Sequence, residues 1–321
     1  MFFLDLALLL FFIFVLSKTA DFAVENAVKI SSFIGLSKLA VGLFLVSVLT
    51  TLPEFTVSVL SSLAGAGEIA AGNVFGSVVT NLILVLGFSG VLHGVQFSKN
   101  EIKEVFIAIL LIFAISVYVL FGIFLKDITL DWIEGVGFLF VFIFYFTHFI
   151  KKKSNEHDLH VGKKEVAFSF IIFVFSIIGV ILSSNLCVEY ALKIVEESNL
   201  SSAFIGLTII SIGTSLPELS VILQAAKRKE YGVAVGNSIG SSIINITFIL
   251  GASSIIRSLA LHSLTLIIGV IFSIIAAVFL LYFGAHRQNI SRGSGLIFLL
   301  CYLFFLVLLF YSNNYDKNIV I

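Results

Sequence analysis

The feature that most constrains this chain is a pair of prolines, each followed by a glutamate inside a long apolar stretch. Pro53 and Pro217 are the only two prolines of the chain. The two copies are separated by a repeat offset of 164 residues (217 − 53 = 164). Hydroxyl residues precede both prolines, in the segments Thr50-Thr51-Leu52-Pro53-Glu54 and Thr214-Ser215-Leu216-Pro217-Glu218. Because proline removes a backbone donor and disrupts the preceding turn, each stretch is predicted to be a broken helix. A repeated helix break that carries a carboxylate at membrane depth indicates an ion site.

The composition of the chain is that of a membrane protein. Hydrophobic residues make up 59% and charged residues 12%, with a mean hydropathy of +1.15, whereas soluble domains carry about 25% charged residues. Apolar stretches of about 20 residues, long enough to span a bilayer, recur along the whole chain. The net charge of zero gives no electrostatic basis for nucleic-acid binding. The expected partner of the surface is therefore the lipid bilayer.

We predict an all-α polytopic membrane protein with ten transmembrane helices. The predicted spans are 2–30, 33–63, 68–93, 103–125, 130–150, 165–197, 201–226, 232–257, 261–285 and 291–312. A polar basic segment divides them into a first five-helix repeat at 1–150, a cytoplasmic linker at 151–164 and a second five-helix repeat at 165–321. Because five is an odd number, the two repeats enter the membrane in opposite senses. They are thus predicted to be inverted repeats with the broken helices at the bilayer midplane.

The distribution of lysine and arginine predicts the orientation of the chain. With the N-terminus outside, 14 of the 19 Lys and Arg residues lie in inside loops, in agreement with the positive-inside rule. Lys18 lies within the first helix. The remaining four lie outside and are Lys126, Lys193, Arg257 and Lys317. We therefore expect a multi-pass protein of the cell membrane with both termini outside.

The repeat continues after each proline without a gap. The segment Gly72-Asn73-Val74-Phe75-Gly76-Ser77 corresponds at the same offset to Gly236-Asn237-Ser238-Ile239-Gly240-Ser241, and Asn81 corresponds to Asn245. Residues four apart share a helix face, which pairs Thr50 with Glu54, Thr214 with Glu218, Ser77 with Asn81, and Ser241 with Asn245. We expect these four oxygen-bearing faces to surround one central point, with the glycines allowing close approach of the backbones.

Glu54 and Glu218 are predicted to be functional residues. A carboxylate at the bilayer centre costs about 2.5–3.5 kcal/mol on insertion scales, and the apolar stretch around each proline holds no basic residue. A bound cation or a proton must therefore balance the two glutamates. The prolines are also expected to free the carbonyls of Leu49 and Gly213 and to loosen the turn before them, which offers oxygen ligands to a hard cation.

The neighbouring polar side chains have two possible roles. Buried amides need partners, which favours a functional role for Asn81 and Asn245. Membrane serines and threonines often bond to their own helix instead. That structural role stays open for Thr50, Thr51, Thr214, Ser215, Ser77 and Ser241.

These motifs resemble the alpha-repeats of the cation/calcium exchanger superfamily, and in particular those of its sodium/calcium exchanger branch. The segments Gly213-Thr214-Ser215-Leu216-Pro217-Glu218 and Gly236-Asn237-Ser238-Ile239-Gly240-Ser241 carry the resemblance, which extends over essentially the whole chain. The resemblance implies a secondary antiporter that exchanges Ca2+ for Na+ by alternating access and needs no cofactor. It also implies that the first and sixth helices slide against the other eight.

The resemblance further implies a set of ion ligands. The calcium site would consist of Glu54, Glu218, Thr50 and Thr214. The sodium sites would use the hydroxyls of Thr51, Ser215, Ser77 and Ser241 and the backbone carbonyls of Ser47 and Ser211. Asn81 and Asn245 would line the centre of the site.

Two departures from the family pattern affect these expectations. Some members carry an aspartate at one of the positions of Asn81 and Asn245, so the fixed charge here is only −2, which disfavours potassium transport. The first copy has Leu49 where the second has Gly213, which leaves open how alike the two halves unwind.

Other functions remain as alternatives. Ca2+/H+ antiport could use the same two glutamates, and an ion channel is a further class. An enzyme is disfavoured because the sequence shows no His/Asp/Ser or metal constellation at membrane depth. The sequence does not define an oligomeric state, and a monomer is compatible with it.

Overall fold

The part of the chain that the structure describes is mostly helical. This computed structural model describes residues 2–34, 47–97, 102–126, 129–150, 163–197, 200–229 and 231–319. The helices are α1 Phe2–Ile34, α2 Ser47–Thr50, α3 Leu52–Leu63, α4 Gly67–His93, α5 Ile102–Lys126, α6 Trp132–Ile150, α7 Lys163–Glu197, α8 Ser202–Thr214, α9 Leu216–Lys227, α10 Tyr231–Ile256, α11 Leu264–Leu280 and α12 Arg292–Ile319. The strands are β1 Val95–Gln96, β2 Thr129–Leu130, β3 Leu259–Ala260 and β4 Asn289–Ile290.

Several helices contain a π-helical turn, in which the hydrogen bonds skip one residue more than in an α-helix. These turns are Thr80–Val85 in α4, Gly206–Ile210 in α8 and Ile244–Ile249 in α10, and a further one, Leu281–His286, follows α11. The turns in α4 and α10 are related by the repeat offset, so they follow the sequence repeat.

The described helices agree in part with the ten predicted spans. Seven are long and apolar enough to cross a membrane, or eight if the bent pair α8–α9 is one span, and two further apolar helices, Leu52–Leu63 and Trp132–Thr147, are shorter. The predicted second span, 33–63, begins too early, because residues 33 and 34 complete α1. Residues 35–46 lie outside the described part, and the remainder breaks at Thr51, as the proline predicted.

The boundary between the predicted halves lies largely outside the described residues. Residues 151–162 of the linker are not among them, and α7 begins at Lys163, ahead of the predicted start at 165.

α1 and α7 form a long antiparallel pair. A Cβ on Gly179 would lie 2.7 Å from Cγ2 of Thr19, and the ring of Phe12 stacks on that of Tyr190 with centroids 5.6 Å apart. This pair has an apolar cluster of its own, which meets the other helices through Val57, Ile69, Ile205 and Ile210. Most other buried apolar side chains belong to a second, larger cluster.

Two short antiparallel strand pairs join the two halves of the chain. Val95 of β1 pairs with Ile290 of β4, and Leu130 of β2 pairs with Leu259 of β3. Val95 and Leu259 are related by the repeat offset, and Leu130 and Ile290 differ by a similar 160 residues (290 − 130 = 160), so each pair repeats the other with the halves exchanged.

Close glycine contacts follow the same exchange. A Cβ on Gly295 of α12 would lie 2.6 Å from the carbonyl oxygen of Gly87 in α4, and a Cβ on Gly135 of α6 would lie 2.7 Å from that of Gly251 in α10. Gly87 and Gly251 also correspond at the repeat offset. The last helix of each half therefore packs backbone to backbone on the other half, as small residues permit in membranes.

The end of α12 caps two other helices. Asn313 Oδ1 accepts a 2.7 Å hydrogen bond from the Ser201 amide just before α8. Asp316 accepts from the amides of Leu264 and Thr265 at 2.8 and 3.0 Å, at the start of α11. Because the first amides of a helix have no intrahelical partner, these side chains fix where α8 and α11 begin.

Candidate functional site

Both predicted helix breaks are present, and they have the same backbone geometry. Thr51 separates α2 from α3 with φ −82° and ψ 3°, and Ser215 separates α8 from α9 with φ −83° and ψ 6°. These angles lie in the sparsely populated bridge region. The difference between Leu49 and Gly213 therefore does not change the conformation of the break itself.

The turns before the prolines are less open than the sequence suggested. The Thr51 amide still bonds to the Ser47 carbonyl at 3.0 Å, and the Ser215 amide bonds to the Ser211 carbonyl at 3.2 Å. The expected loosening of the turn does not extend to these bonds: each proline lacks its own amide bond, and its ring crowds the carbonyl four residues back, but the bonds of Thr51 and Ser215 remain. Each break is confined to one residue, and the Ser47 and Ser211 carbonyls keep their helical donors.

The two glutamates lie in the first turns of α3 and α9 and are completely buried. Ser215 donates a 3.1 Å hydrogen bond to Oε1 of Glu54. Among the described residues, Oε2 of Glu54 and both carboxylate oxygens of Glu218 have no hydrogen-bond partner. No lysine or arginine in the described ranges forms an ion pair with either glutamate. Such unpartnered buried carboxylate oxygens are suited to a cation.

The amides of Asn81 and Asn245 lie inside the two repeat-related π turns and are completely buried. Both side-chain atoms of Asn81, Oδ1 of Asn245 and Oγ of Ser77 lack partners among the described residues. Asn245 Nδ2 donates to the Ser241 carbonyl at 3.0 Å. Since π turns recur at functional sites, these unpartnered oxygens extend the candidate site beyond the glutamates.

Each threonine of the site is held by an asparagine from the other half of the chain. Thr214 donates to Oδ1 of Asn73 at 3.1 Å, and Thr50 donates to Oδ1 of Asn237 at 3.2 Å. Thr50 also lies 3.3 Å from the hydroxyl of Ser241. The structure thus brings Thr50, Thr214 and Ser241 together with the asparagines of the two glycine-rich segments.

Asn73 and Asn237 belong to the candidate site but were not predicted from the sequence. The repeat contained the signal, because both asparagines occupy the same place in the Gly-Asn segments at the repeat offset. Their importance is visible only once α4 lies beside α8, and α10 beside α2.

The remaining predicted residues are buried but differ in how their hydroxyls are used. Thr51 donates to the Ser47 carbonyl at 2.8 Å, and Ser211 donates to the Leu207 carbonyl at 2.8 Å, so both bond to their own helix. Ser47 lies 3.3 Å from Oδ1 of Asn237. The Thr51 hydroxyl therefore has the structural role of bonding to its own helix, whereas the Ser215 hydroxyl bonds to Glu54 instead.

Gly72 and Gly76, in the first copy of the repeat, allow the close approach of helices that the sequence predicted. A Cβ on Gly76 would lie 2.6 Å from both Cβ and Oγ of Ser211, and one on Gly206 would lie 2.8 Å from the Ile69 carbonyl. A Cβ on Gly72 would lie 3.0 Å from the Ala203 carbonyl. The corresponding role of Gly236 and Gly240 stays a prediction.

The donor set of the site is almost entirely oxygen. Among the described residues, no group of three or more His, Cys, Asp and Glu side chains could hold a metal ion. The site offers instead two carboxylates, several hydroxyls, amide oxygens and backbone carbonyls. Hard cations such as Na+ and Ca2+ prefer oxygen ligands of this kind.

Comparison with known families agrees with this chemistry. The family model described as sodium/calcium exchanger protein matches residues 4–151 and 168–311. Together the two matched ranges include both helix breaks and all the predicted site residues.

Individual relatives match over nearly the whole chain. An uncharacterized membrane protein of Methanocaldococcus jannaschii is 34% identical over 289 residues, covering 88% of this chain and 91% of the relative. The sodium/calcium exchanger MaX1 of Methanosarcina acetivorans is 28% identical, covering 95% and 98%. A solved structure of the sodium-calcium exchanger NCX_Mj superimposes with a TM-score of 0.69 at 32% identity, covering 95% of this chain and 98% of that one. The resemblance stated from the sequence motifs is confirmed.

Proposed function

Because the chain belongs to the sodium/calcium exchanger protein family, we propose that it is a secondary antiporter that exchanges Ca2+ for Na+ across the cell membrane. The transported ions are its substrates, and the proposed mechanism requires no cofactor and no covalent chemistry. Glu54 and Glu218 would balance the charge of one calcium ion, or most of the charge of the sodium ions that replace it.

The observation that carries this proposal is the environment of the two glutamates. Both are completely buried, and three of their four carboxylate oxygens have no partner among the described residues. A charged carboxylate in such surroundings is unstable unless a cation or a proton neutralises it. Membership of the family supports Na+ and Ca2+ as the cations, and the unpartnered buried oxygens support this position as their binding site.

We propose specific ligands for the two kinds of ion. Calcium would bind to the carboxylates of Glu54 and Glu218 and the hydroxyls of Thr50 and Thr214. Sodium would use the other predicted oxygens, which belong to Thr51, Ser215, Ser77, Ser241 and the carbonyls of Ser47 and Ser211, with Asn81 and Asn245 at the centre. Calcium and sodium share the glutamates, so binding of one would exclude the other.

The proposed topology is ten transmembrane helices arranged as two inverted repeats, 1–150 and 165–321. The matched breaks at Thr51 and Ser215, the matched π turns and the two exchanged strand pairs support it. Both termini would lie outside and the 151–164 linker inside, as the positive-inside rule predicts.

Alternating access would consist of α1 and α7 sliding together over the remaining helices. The separate apolar cluster of α1 and α7 supports a pair that moves as a unit, and two contacts lie at its boundary with the other helices. Ile13 of α1 packs over Gly213, where a Cβ would overlap Cγ2 of Ile13. Thr56 of α3 and Ser184 of α7 share a 2.5 Å hydrogen bond. Both contacts would have to change as the pair moves.

Calcium uptake into proteoliposomes tests the function. With Na+ inside and Ca2+ outside, the wild-type protein should accumulate Ca2+, and uptake should stop when choline replaces internal Na+. Glu54→Gln and Glu218→Gln should each abolish this uptake, because one of the two charges that calcium needs is lost. Full uptake in either variant would contradict the proposal.

The same assay separates the alternatives. Uptake that continues without Na+ and follows an outward proton gradient would show Ca2+/H+ antiport at the same glutamates. Calcium flux that needs no counter-ion and does not saturate would show a channel.

A further inference from the structure

Asn73 contacts both halves of the candidate site at once. Its Nδ2 donates to the Glu54 carbonyl oxygen at 3.2 Å and to Oγ of Ser58 at 2.9 Å. Its Oδ1 accepts the Thr214 hydroxyl from the other half at 3.1 Å. One completely buried amide therefore links the backbone of one proposed ligand to the side chain of another.

These contacts favour one direction of the Thr214 hydroxyl. The Glu54 carbonyl can only accept a hydrogen bond, so the Asn73 amide nitrogen must face it, and the amide oxygen must face Thr214. Because that oxygen also only accepts, Thr214 is the donor in this 3.1 Å contact, which is shorter than its 3.4 Å approach to the Ser211 carbonyl. A Thr214 hydroxyl that donates to Asn73 keeps its lone pairs for a cation.

Asn237 holds Thr50 in a less defined way. Its Oδ1 lies 3.2 Å from the Thr50 hydroxyl and 3.3 Å from the Ser47 hydroxyl, while its Nδ2 has no partner among the described residues. The residue that corresponds to Ser58 in the second copy is Ile222, a buried apolar side chain that cannot accept a hydrogen bond. Since hydroxyls can either donate or accept, they do not fix the orientation of this amide.

We propose that Asn73 and Asn237 are positioning residues, each of which orients the threonine ligand contributed by the opposite half of the chain. Asn73 does so firmly because Ser58 and the Glu54 carbonyl fix its amide, and Asn237 does so weakly. The two threonines are therefore unequal calcium ligands, and the hydroxyl of Thr214 is the better oriented of the two. This inference rests on the proposed calcium site.

Double-mutant cycles in calcium binding test the pairing across the halves. Isothermal titration calorimetry with Ca2+ on the purified full-length protein gives the Kd without reference to any counter-ion. Asn73→Ala should raise the Kd about 10-fold, which is typical for the loss of a residue that orients a metal ligand. In a Thr214→Val background, Asn73→Ala should raise the Kd for Ca2+ by less than about twofold further. In a Thr50→Val background, it should still raise the Kd about 10-fold.

The reciprocal cycle gives a matched control. Asn237→Ala should couple to Thr50→Val and not to Thr214→Val, with a smaller effect than Asn73→Ala. A general loss of folding or packing would affect both backgrounds equally. Equal effects of Asn73→Ala in the two threonine backgrounds would overturn the proposal.

Ser58 provides a milder variant that leaves every proposed ligand in place. Ser58→Ala should raise the Kd for Ca2+ and the KM of transport while leaving the maximal rate within about twofold, because only the Asn73 amide loses a partner. Ile222→Val, at the corresponding position, should leave the Kd unchanged. If Asn73→Ala does not fold, an unchanged Kd in Ser58→Ala overturns the proposal.

The outcomes also separate this inference from the proposed function. A wild-type protein that binds no Ca2+ would contradict both. A wild-type protein that binds Ca2+ but shows no coupling between Asn73 and Thr214 would contradict the positioning role alone.

Discussion

Ser215 and Glu54 belong to different halves of the chain, yet the Ser215 hydroxyl donates a 3.1 Å hydrogen bond to Oε1 of Glu54. Ser215 is the residue at the helix break of the second half, and Glu54 follows the break of the first. Thr51, the counterpart of Ser215, donates instead to the Ser47 carbonyl of its own helix. The two breaks share a backbone conformation but use their hydroxyls differently, so only one of them reaches the glutamate of the other half.

Ser215→Ala is expected to lower the apparent affinity for Ca2+ much more than Thr51→Ala. A hydrogen bond to a charged group contributes about 1.5–3 kcal/mol, which corresponds to a loss of roughly tenfold or more in apparent affinity. The Thr51 hydroxyl bonds to its own backbone and to neither glutamate, so its loss should change the apparent affinity for Ca2+ by less than about threefold, whatever it does to sodium binding. The Ca2+ dependence of uptake at saturating internal Na+ measures both affinities. Equal effects of the two substitutions would show that the asymmetric contact has no role in transport.

Calcium should stabilise the folded protein through the two glutamates. A ligand that binds only the native state at about 100 times its Kd adds about 2.7 kcal/mol to the free energy of unfolding. Thermal unfolding in detergent should therefore shift upward when Ca2+ is added to the wild type. Glu54→Gln and Glu218→Gln should each lose most of this shift.

The same two variants have a second expected effect in the absence of calcium. Replacing a buried carboxylate by a neutral amide removes the cost of burying a charge, so neither variant should be less stable than the wild type without added ions. A calcium-dependent shift that persists undiminished in both variants would place the ion elsewhere.

Much of the architecture could be predicted because its signals are local. An apolar run of about 20 residues predicts a span, and a proline predicts a break wherever it stands in a helix. The paired segments around Pro53 and Pro217 therefore predicted the breaks, their burial and the oxygen-rich faces. The repeat offset predicted that the two halves would correspond, and the π turns around Asn81 and Asn245 follow the same offset.

What could not be predicted depends on contacts between distant helices. The acceptor of a hydroxyl hydrogen bond depends on which groups lie within bonding distance in the folded protein. The repeat places a hydroxyl residue at both Thr51 and Ser215, so the sequence alone cannot distinguish their acceptors. Asn73 is repeated as clearly as Asn81, but its partners Ser58 and Thr214 come from two other helices. The exchanged strand pairs are too short for any periodic signal.

Gly213→Ala is expected to slow transport by obstructing α1. A Cβ at this position would overlap Cγ2 of Ile13, so either the Ile13 side chain or α1 itself would have to shift. Overpacking of this kind typically destabilises by about 1–3 kcal/mol. The rate of Na+-driven Ca2+ uptake should fall, and the double variant Gly213→Ala with Ile13→Ala should recover much of it.

Gly137→Ala is the matched control for this steric effect. Gly137 lies in α6, and a Cβ there would meet no atom within 4 Å. This variant should transport at the wild-type rate. If Ile13→Ala fails to restore Gly213→Ala, the loss does not arise at the contact between α1 and α8.

Asp316→Ala is expected to lower thermal stability without weakening calcium binding. Asp316 accepts hydrogen bonds from the Leu264 and Thr265 amides and from the Thr265 hydroxyl at the start of α11, far along the chain from the glutamates. Loss of a helix N-terminal cap typically costs about 0.5–2 kcal/mol, so the unfolding temperature in detergent should fall. Asp316→Asn keeps one acceptor oxygen and should lose less. The Kd for Ca2+ should match the wild type in both variants, because α12 supplies none of the proposed ligands; a changed Kd at unchanged stability would instead connect the end of α12 to the ion site.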